Sequence, residues 1–402
     1  MQFHGGWCAR FTSLLCVLTL SGAGLAFSAG SAGAAQPSGT PIKIGVLETN
    51  AGPGDINEGN ALDATAKYIN AHGGVGGHPI QLTTDLESND VAVSVANAQK
   101  FISQGYDAIV DADANDSAWA SAVEAAGIPV LLSADTLAFG SSDDAFGSPQ
   151  TPTVTTPLEM IAINKVGGAS KIAVMYCTEY SQCSQAVPYY TSLGKKYGDQ
   201  VVYSAAASQS APNYLAQCLA AKAAGANSLF PAASSDVAVR VVENCAKQGY
   251  TPHLLAGAGS YNKGFIGTPG TNGLIGTDHN VPFFDTSNPQ IKIMTAAFNK
   301  YDPSLTKNNN YDDTAVWNWI NGALLVQAAK AAHWTSKTRV TAASLKTALL
   351  ALGTTTAGGL MAPLTFAAGK PEANNCAYTV EIKKNKFVLP YGLKATCLPA
   401  SS

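Results

Sequence analysis

The feature that most constrains the fold of this chain is a regular alternation of short apolar runs with helical patterns. "PIKIGVLE" at residues 41–48, "HPIQLTTDLE" at 78–87, "YDAIVDAD" at 106–113 and "IPVLLSA" at 128–134 have the length and apolar content of buried strands. A helical pattern separates each run from the next, so the predicted order is β-α-β-α-β-α-β. Because strands joined through helices pair in parallel, this order predicts a doubly wound parallel sheet.

The same alternation restarts near Ser170 and predicts a second α/β lobe. Before it, "TPTVTTPLEMIAI" at 151–163 is rich in threonine and proline, as is typical of a connection between lobes. After it come two long helical patterns at 311–332 and 341–352 and a strand-like end. The 402 residues suffice for two or three domains of about 150 residues. The predicted strands of the second lobe are "SKIAVMYC" (170–177), "QVVYSAAAS" (200–208), "ANSLFPAA" (226–233) and "PHLLAGAG" (252–259).

The first 35 residues differ from the rest and indicate a secretory signal peptide. Arg10 provides a positive start, an apolar run covers Phe11 to Phe27, and small residues precede a cleavage site near Ala34 or Ala35. The apolar run is shorter than the roughly 20 residues of a membrane span and is broken by glycine and serine. We therefore expect an exported protein, in the periplasm or outside the cell, from which residues 1–35 have been removed.

Removal of the signal peptide leaves an even number of cysteines, which in an exported chain favours disulfides. Six cysteines permit fifteen pairings, and the sequence does not decide among them; we favour the local set. No C-x-x-C motif occurs and no histidine lies near a cysteine, so a metal site or a catalytic thiol is not favoured. The local pairs are Cys177–Cys183, Cys218–Cys245 and Cys376–Cys397.

Charge and motifs exclude several classes of function. Charged residues make up 13% of the chain and the formal net charge is −3, whereas a nucleic-acid-binding protein needs a basic surface. The sequence has neither the G-x-S-x-G motif of hydrolases nor the H-E-x-x-H motif of metalloproteases. We therefore predict a protein that is not an enzyme and that uses no cofactor, no metal and no nucleic acid.

The stretch "NAHGGVGGHPIQL" at 70–82 raises the question of a glycine-rich binding loop. Its glycines end a helical pattern, whereas phosphate-binding loops begin a helix. His72 and His78 flank the turn without a nearby carboxylate, which does not favour a metal site. We expect a tight turn in which glycines adopt positive φ angles.

This stretch is similar to a signature of the type I periplasmic-binding-protein fold. Together with "AAGIPVLLSADT", "SKIAVMY" and "YDDTAVWNWI", it resembles the leucine-binding-like, branched-chain amino-acid receptors of ABC importers. The resemblance implies two doubly wound parallel-sheet lobes with a three-crossing hinge, a small solute in the cleft, and a monomer that docks on a membrane permease. It places lobe one at 41–152 and 284–356 and lobe two at 153–283 and 357–402, with crossings near 149–157, 278–285 and 353–364.

Candidate binding residues in lobe one follow the third and fourth strands, at the sheet edge where α/β proteins bind ligands. Asn115 and Asp116 open a predicted helix; the competing interpretation is helix capping, with Asp116 as the N-cap. Ala134, Asp135 and Thr136 match the family position whose backbone and threonine hydroxyl hold an amino-acid carboxylate. Asp116 and Asp135 are acidic where the family has serine or another small residue, and this disfavours an anionic ligand.

Candidate residues in lobe two follow its strands in the same way. Tyr180 matches a family tyrosine that packs on the ligand, or else shields a Cys177–Cys183 disulfide. Ser234 begins a predicted helix, and Gly257 stands where amino-acid receptors carry an acid for the ligand ammonium. Tyr311 and Asp313 match a family segment near the cleft and hinge, or else form an ordinary acidic helix start.

Two alternatives to a transport receptor remain open at the level of sequence. One is an orphan sensor that uses the same cleft and passes its signal to a membrane receptor. The other is an exported hydrolytic enzyme in which Asp116 and Asp135 act as general acid and base.

Overall fold

The computed structural model describes residues 36–49, 58–86, 90–113, 115–133, 136, 138–139, 142–148, 151–168, 171–179, 183–184, 186–257, 259–369 and 374–399. The predicted signal peptide lies outside these residues, and so do Cys8 and Cys16. Among the described residues, no helix has the length and apolar character needed to cross a membrane.

The eight apolar runs that were predicted as strands all contain strands, and so does the strand-like stretch near the end of the chain. The strands at residues 145–146, 274–278, 353–355, 364–366 and 396–397 were not predicted. The strands in chain order are β1 (Ile42–Glu48), β2 (Ile80–Leu86), β3 (Ala108–Ala112), β4 (Val130–Leu132), β5 (Ala145–Phe146), β6 (Lys171–Tyr176), β7 (Gln200–Ala206), β8 (Ser228–Ala232), β9 (His253–Ala256), β10 (Leu274–Asp278), β11 (Gly353–Thr355), β12 (Leu364–Phe366), β13 (Cys376–Lys383), β14 (Lys386–Val388) and β15 (Thr396–Cys397).

The helices lie between these strands and after them. They are α1 (Glu58–Ala71), α2 (Val91–Ser103), α3 (Ala120–Ala126), α4 (Pro152–Val166), α5 (Ala186–Tyr197), α6 (Leu215–Ala223), α7 (Ser235–Lys247), α8 (Pro289–Tyr301), α9 (Pro303–Lys307), α10 (Thr314–Ala331) and α11 (Ala342–Leu350).

The first sheet has the order β2-β1-β3-β4-β5, and all of its pairs are parallel. β1 and β3 lie in its interior and are buried almost throughout, as a strand covered by helices on both faces must be. Helix α1 covers one face and packs against α10 and α8, while α2 and α3 lie on the other face.

The glycine-rich turn after α1 has the predicted conformation. Gly73, Gly74, Gly76 and Gly77 all have positive φ angles, between 60° and 98°. The side chain of Asn70 clamps the start of β2, because its Nδ2 donates to the carbonyl of Ile80 and its Oδ1 accepts from the amide of Ile80, at 2.9 and 2.7 Å. The stretch therefore joins a helix to a strand.

The second sheet has the order β14-β13-β10-β9-β8-β6-β7, with β15 paired to β13. β6 to β10 pair in parallel, which confirms the predicted α/β class of two parallel-sheet units. The strand-like end of the chain adds an antiparallel edge: β13 pairs antiparallel with β10, β14 and β15.

The chain passes between the two sheets after β5, after β10 and after β11. The first passage is shorter than the sequence suggested, because α4 already begins at Pro152 and contains Pro157. A proline at the first helical position is well tolerated, since its missing N–H would have no partner there. The predicted crossing over residues 149–157 is therefore helical from residue 152.

The described cysteines pair in the local arrangement that the sequence favoured. Cys177–Cys183 follows β6, Cys218–Cys245 joins α6 to α7, and Cys376–Cys397 joins β13 to β15. All three disulfides belong to the part of the chain around the second sheet.

Candidate functional site

The carboxyl ends of the first sheet carry a cluster of buried acids. Asp111 lies in β3, Asp113 follows it, and Asp116 lies in a short 3-10 turn before α3. Each of the three side chains is at most 2% exposed. Because the strands are parallel, the ends of β1, β3 and β4 meet at this same edge.

Asp113 holds three elements of the first sheet together. Its carboxylate accepts hydrogen bonds from Thr49 after β1, at 3.1 Å, and from the indole of Trp119, at 2.8 Å. It also accepts from the backbone amide of Asn115, at 2.7 Å, and from the hydroxyl of Ser94 in α2. All four donors are neutral, so Asp113 fixes the loop without an opposing charge.

Asp116 does not act as the predicted helix cap. Helix α3 begins after Trp119, and neither Asn115 nor Trp119 makes a side-chain capping bond. The carboxylate of Asp116 instead accepts from the Thr136 hydroxyl at 2.7 Å and from the Ala138 amide at 3.0 Å. The capping interpretation was wrong because a partner 20 residues away takes this carboxylate.

The Thr136 hydroxyl makes two hydrogen bonds in this arrangement. It donates to Asp116 and accepts from the backbone amide of Phe139 at 2.9 Å. A hydroxyl has a single proton to donate. Ala134 and Asp135, which were predicted beside Thr136, lie outside the described residues.

Asp111 is the most deeply buried acid of the cluster. Burial, with Asp116 and then Asp113 beside it, raises the pKa of Asp111 well above its ordinary value. One of its oxygens accepts from the Asp113 amide at 3.2 Å, and the other has no hydrogen-bond partner among the described residues. This edge of the sheet is therefore a region that disfavours further negative charge.

At the second sheet, Ser234 precedes α7 but does not cap it through its side chain. The Ser234 hydroxyl donates to the carboxylate of Asp236 at 2.6 Å. Tyr180 lies outside the described residues, so its predicted role stays a prediction.

Gly257, after β9, has a carboxylate where a side chain would lie. A Cβ placed on Gly257 would come within 2.8 Å of Oε1 of Glu159, which belongs to α4 and is 4% exposed. The Tyr190 hydroxyl donates to Glu159, and burial together with this carboxylate raises the pKa of Tyr190 well above its ordinary value. Glu159 was not predicted from the sequence, because a single acid inside a helical pattern gives no signal.

Tyr311 and Asp313 lie where the chain leaves the second sheet. Asp313 precedes α10, and its carboxylate accepts from the amide of Phe283 at 2.8 Å. It also lies beside Asp278, the last residue of β10, which accepts from Tyr261 at 2.9 Å. Burial raises the pKa of both acids, and the adjacent Asp313 raises that of Asp278 further. Tyr311 is buried against Phe283.

The segments that connect the sheets hydrogen-bond one another. The amide of Val281 donates to the carbonyl of Leu360 at 2.7 Å, and the Asn374 side chain donates to Ser148 at 2.7 Å. The ring of His279 faces the carbonyl of Asn374 at 3.1 Å, and burial lowers its pKa to about 4. Polar contacts therefore hold the three connecting segments next to one another.

The histidines of the glycine-rich turn have structural partners. Both ring nitrogens of buried His78 face backbone carbonyls, Nδ1 that of Thr40 at 2.8 Å and Nε2 that of Thr335 at 2.9 Å. The ring of His72 faces the carbonyl of Tyr68 at 2.7 Å. Across the described residues, no group of three or more metal-ligating side chains is placed to hold a metal ion.

Solved structures with the same fold include three solute-binding proteins. A leucine-binding protein from Thermotoga maritima is 15% identical, with a TM-score of 0.69 over 89% of this chain and 99% of that chain. A solute-binding protein of an ABC transporter from R. palustris, in complex with benzoate, is 17% identical, with a TM-score of 0.70 over 90% and 98%. A branched-chain amino-acid transporter substrate-binding protein from Streptococcus pneumoniae, in complex with isoleucine, is 14% identical, with a TM-score of 0.69 over 89% and 99%.

Comparison with curated proteins gives no match. The family model described as "Periplasmic binding protein" matches residues 41–386, which is most of the 402-residue chain. The two parallel sheets, their three connections and this match agree with the resemblance seen in the sequence. The chain belongs to the periplasmic binding protein family and has the type I fold of its leucine-binding-like members.

Proposed function

We propose that this protein is an exported solute-binding protein of an ABC importer. It captures a small polar solute between the carboxyl ends of its two sheets and delivers it to a membrane permease. The observation that carries the proposal is the placement of polar side chains at these ends in a chain that passes three times between the sheets. Two units that are joined by a small number of connecting segments can close about a hinge. A ligand that contacts both units stabilises the closed form.

The candidate residues have different parts in this proposal. Asn115 and Ser234 are half-buried at the ends of the two sheets and are proposed to contact the solute. Asp116 and Thr136 bond each other and shape the wall of the cleft. Tyr311 and Asp313, which are buried where the chain changes sheet, are proposed to act at the hinge. Because Gly257 has no side chain, the carboxylate of Glu159 can lie close to the end of β9.

A thermal-shift screen of the chain from residue 36 onward tests the proposal. The panel contains amino acids, their amides, polyols, amines and aromatic acids. A ligand that binds only the folded protein raises the Tm by mass action. We expect at least one solute to do so, and we expect the shift to shrink in Thr136→Ala, which breaks the bond to Asp116.

Thr295→Ala is the matched control, because the Thr295 hydroxyl donates to the carbonyl of Ile291 within α8. It should leave the ligand-induced shift unchanged. If no solute class changes the Tm of a folded protein, solute capture is not its function. Turnover of a solute during the same incubation would instead favour the enzyme hypothesis.

A further inference from the structure

We propose that the cleft selects a solute that bears amide, amine or hydroxyl donors and no carboxylate, because Asp116 occupies the donors that a solute carboxylate would use. The inference rests on the proposed function and specifies the class of solute. It concerns Asp116 and Gly257, two positions at which this chain differs from the residues that the resemblance to amino-acid receptors implies.

The donors beside the first sheet are already in use. Thr136 is the position at which the resemblance implies recognition of an amino-acid carboxylate. In this chain the Thr136 hydroxyl donates its hydrogen bond to Asp116 at 2.7 Å, and the Ala138 amide donates to the same carboxylate oxygen at 3.0 Å. The protein thus supplies its own carboxylate to this pair of donors.

The surrounding charge acts in the same direction. Asp113 lies in the same buried cluster, and the groups that donate to its carboxylate are neutral. A second carboxylate brought close to such a group is disfavoured by Coulomb repulsion, which is strongest where water is excluded. A solute carboxylate at the ends of β3 and β4 would therefore meet acids instead of donors.

The second sheet supplies an acceptor from a different element. Gly257 has no side chain, and the Glu159 carboxylate lies where one would start. Glu159 is 4% exposed and accepts a hydrogen bond from the Tyr190 hydroxyl. Acids therefore lie behind the ends of both sheets, and carboxylates are acceptors that suit N–H and O–H donors of a solute.

Matched acid and amide pairs provide the test. Binding of benzoate and benzamide, and of isoleucine and isoleucinamide, is measured by calorimetry on the wild-type chain, Asp116→Ala and Asp116→Asn. We expect the wild type to bind at least one amide about tenfold more tightly than its acid. Asp116→Ala frees the Thr136 hydroxyl and the Ala138 amide, and should strengthen acid binding by about tenfold or more.

Asp116→Asn keeps an acceptor for Thr136 but removes the charge, and it remains informative if Asp116→Ala does not fold. We expect Asp116→Asn to reduce the ratio of the amide affinity to the acid affinity. Asp63→Asn is the control, because it removes the same charge from the exposed surface of α1 and should change no affinity.

Two results would overturn the proposal. One is wild-type protein that binds an acid as tightly as its amide. The other is acid binding that does not rise in either Asp116 variant, whether or not the wild type binds an amide. A carboxylate ligand found in the broader Tm screen would refute this inference and leave the proposed function intact, whereas failure of every solute class in that screen refutes the function itself.

Discussion

Asp199 lies buried just before β7, with one carboxylate oxygen bonded to the Asn164 side chain at 3.0 Å. Its other oxygen has no hydrogen-bond partner among the described residues. Burial raises the pKa of Asp199 from 3.8 to about 6, so the folded protein holds this proton more tightly than the unfolded chain does. The stabilisation that results is complete below about pH 4 and is lost as the pH rises through about 6.

We predict that Asp199→Asn raises the free energy of unfolding at about pH 8 by on the order of 1–2 kcal/mol, because a buried charge is replaced by a neutral amide. Urea unfolding between pH 4 and pH 8 measures the effect. The variant should lose the part of the pH dependence that lies between these limits, whereas the exposed control Asp63→Asn should keep it. An unchanged pH profile in Asp199→Asn would contradict the assignment.

Residue-scale predictions from sequence succeeded where the cause is local. The positive φ angles of Gly73 and Gly74 follow from a helix that must end in a tight turn. Asp116 has the local signal of a helix cap, yet its partners Thr136 and Ala138 come from the next loop. Glu159 reaches Gly257 only through the packing of α4 on the second sheet, which no short stretch of sequence encodes.

Helices α1 and α10 approach each other closely at a glycine. A Cβ on Gly322 would lie 2.5 Å from Cγ2 of Thr65 and 2.8 Å from Cδ1 of Ile69. We predict that Gly322→Ala lowers the free energy of unfolding by about 1–3 kcal/mol despite the better helix propensity of alanine, because the two helices must separate. Chemical denaturation measures the change.

A double-mutant cycle distinguishes overpacking from other causes. Thr65→Ser removes the methyl group nearest to the added Cβ, so it should restore part of the stability lost in Gly322→Ala. Additive effects of the two substitutions would show that the contact between α1 and α10 is not responsible.

Elements were predictable in so far as one stretch of chain determines them. The apolar runs that became β1 and β3 are buried on both faces and therefore keep a clear signal. The residues of α4 include prolines and β-branched side chains, which favour a connecting segment. The helix forms nevertheless, and its Met160 and Ile163 are buried in a hydrophobic cluster with residues of the second sheet. Packing overrides local propensity there.

The core of the first unit is assembled from distant parts of the chain. Helix α1 packs against α8 and α10, which come only after the five parallel strands of the second sheet. We predict that residues 41–152 joined by a short glycine-serine linker to residues 284–356 fold as one unit. Residues 41–283 alone should not, because the apolar face of α1 would have no cover.

Size-exclusion chromatography and near-ultraviolet circular dichroism of the two chains test this division. A cooperative unfolding transition is expected for the joined chain only. A well-folded, monomeric 41–283 fragment would show that the lobe boundaries inferred from the resemblance are misplaced. The alternation of strands and helices up to β9 was predictable from sequence except for β5 and α4, whereas the return of α8 and α10 to α1 depended on the family resemblance.

The three disulfides are distributed unevenly over the molecule. Each closes a short loop around the second sheet, and none of the paired cysteines belongs to the elements around the first. A cross-link stabilises mainly by restricting the unfolded chain, so a thiol reductant acts on one half of this protein and spares the other. We therefore expect the loss of an oxidising environment to destabilise the elements around the second sheet before those around the first.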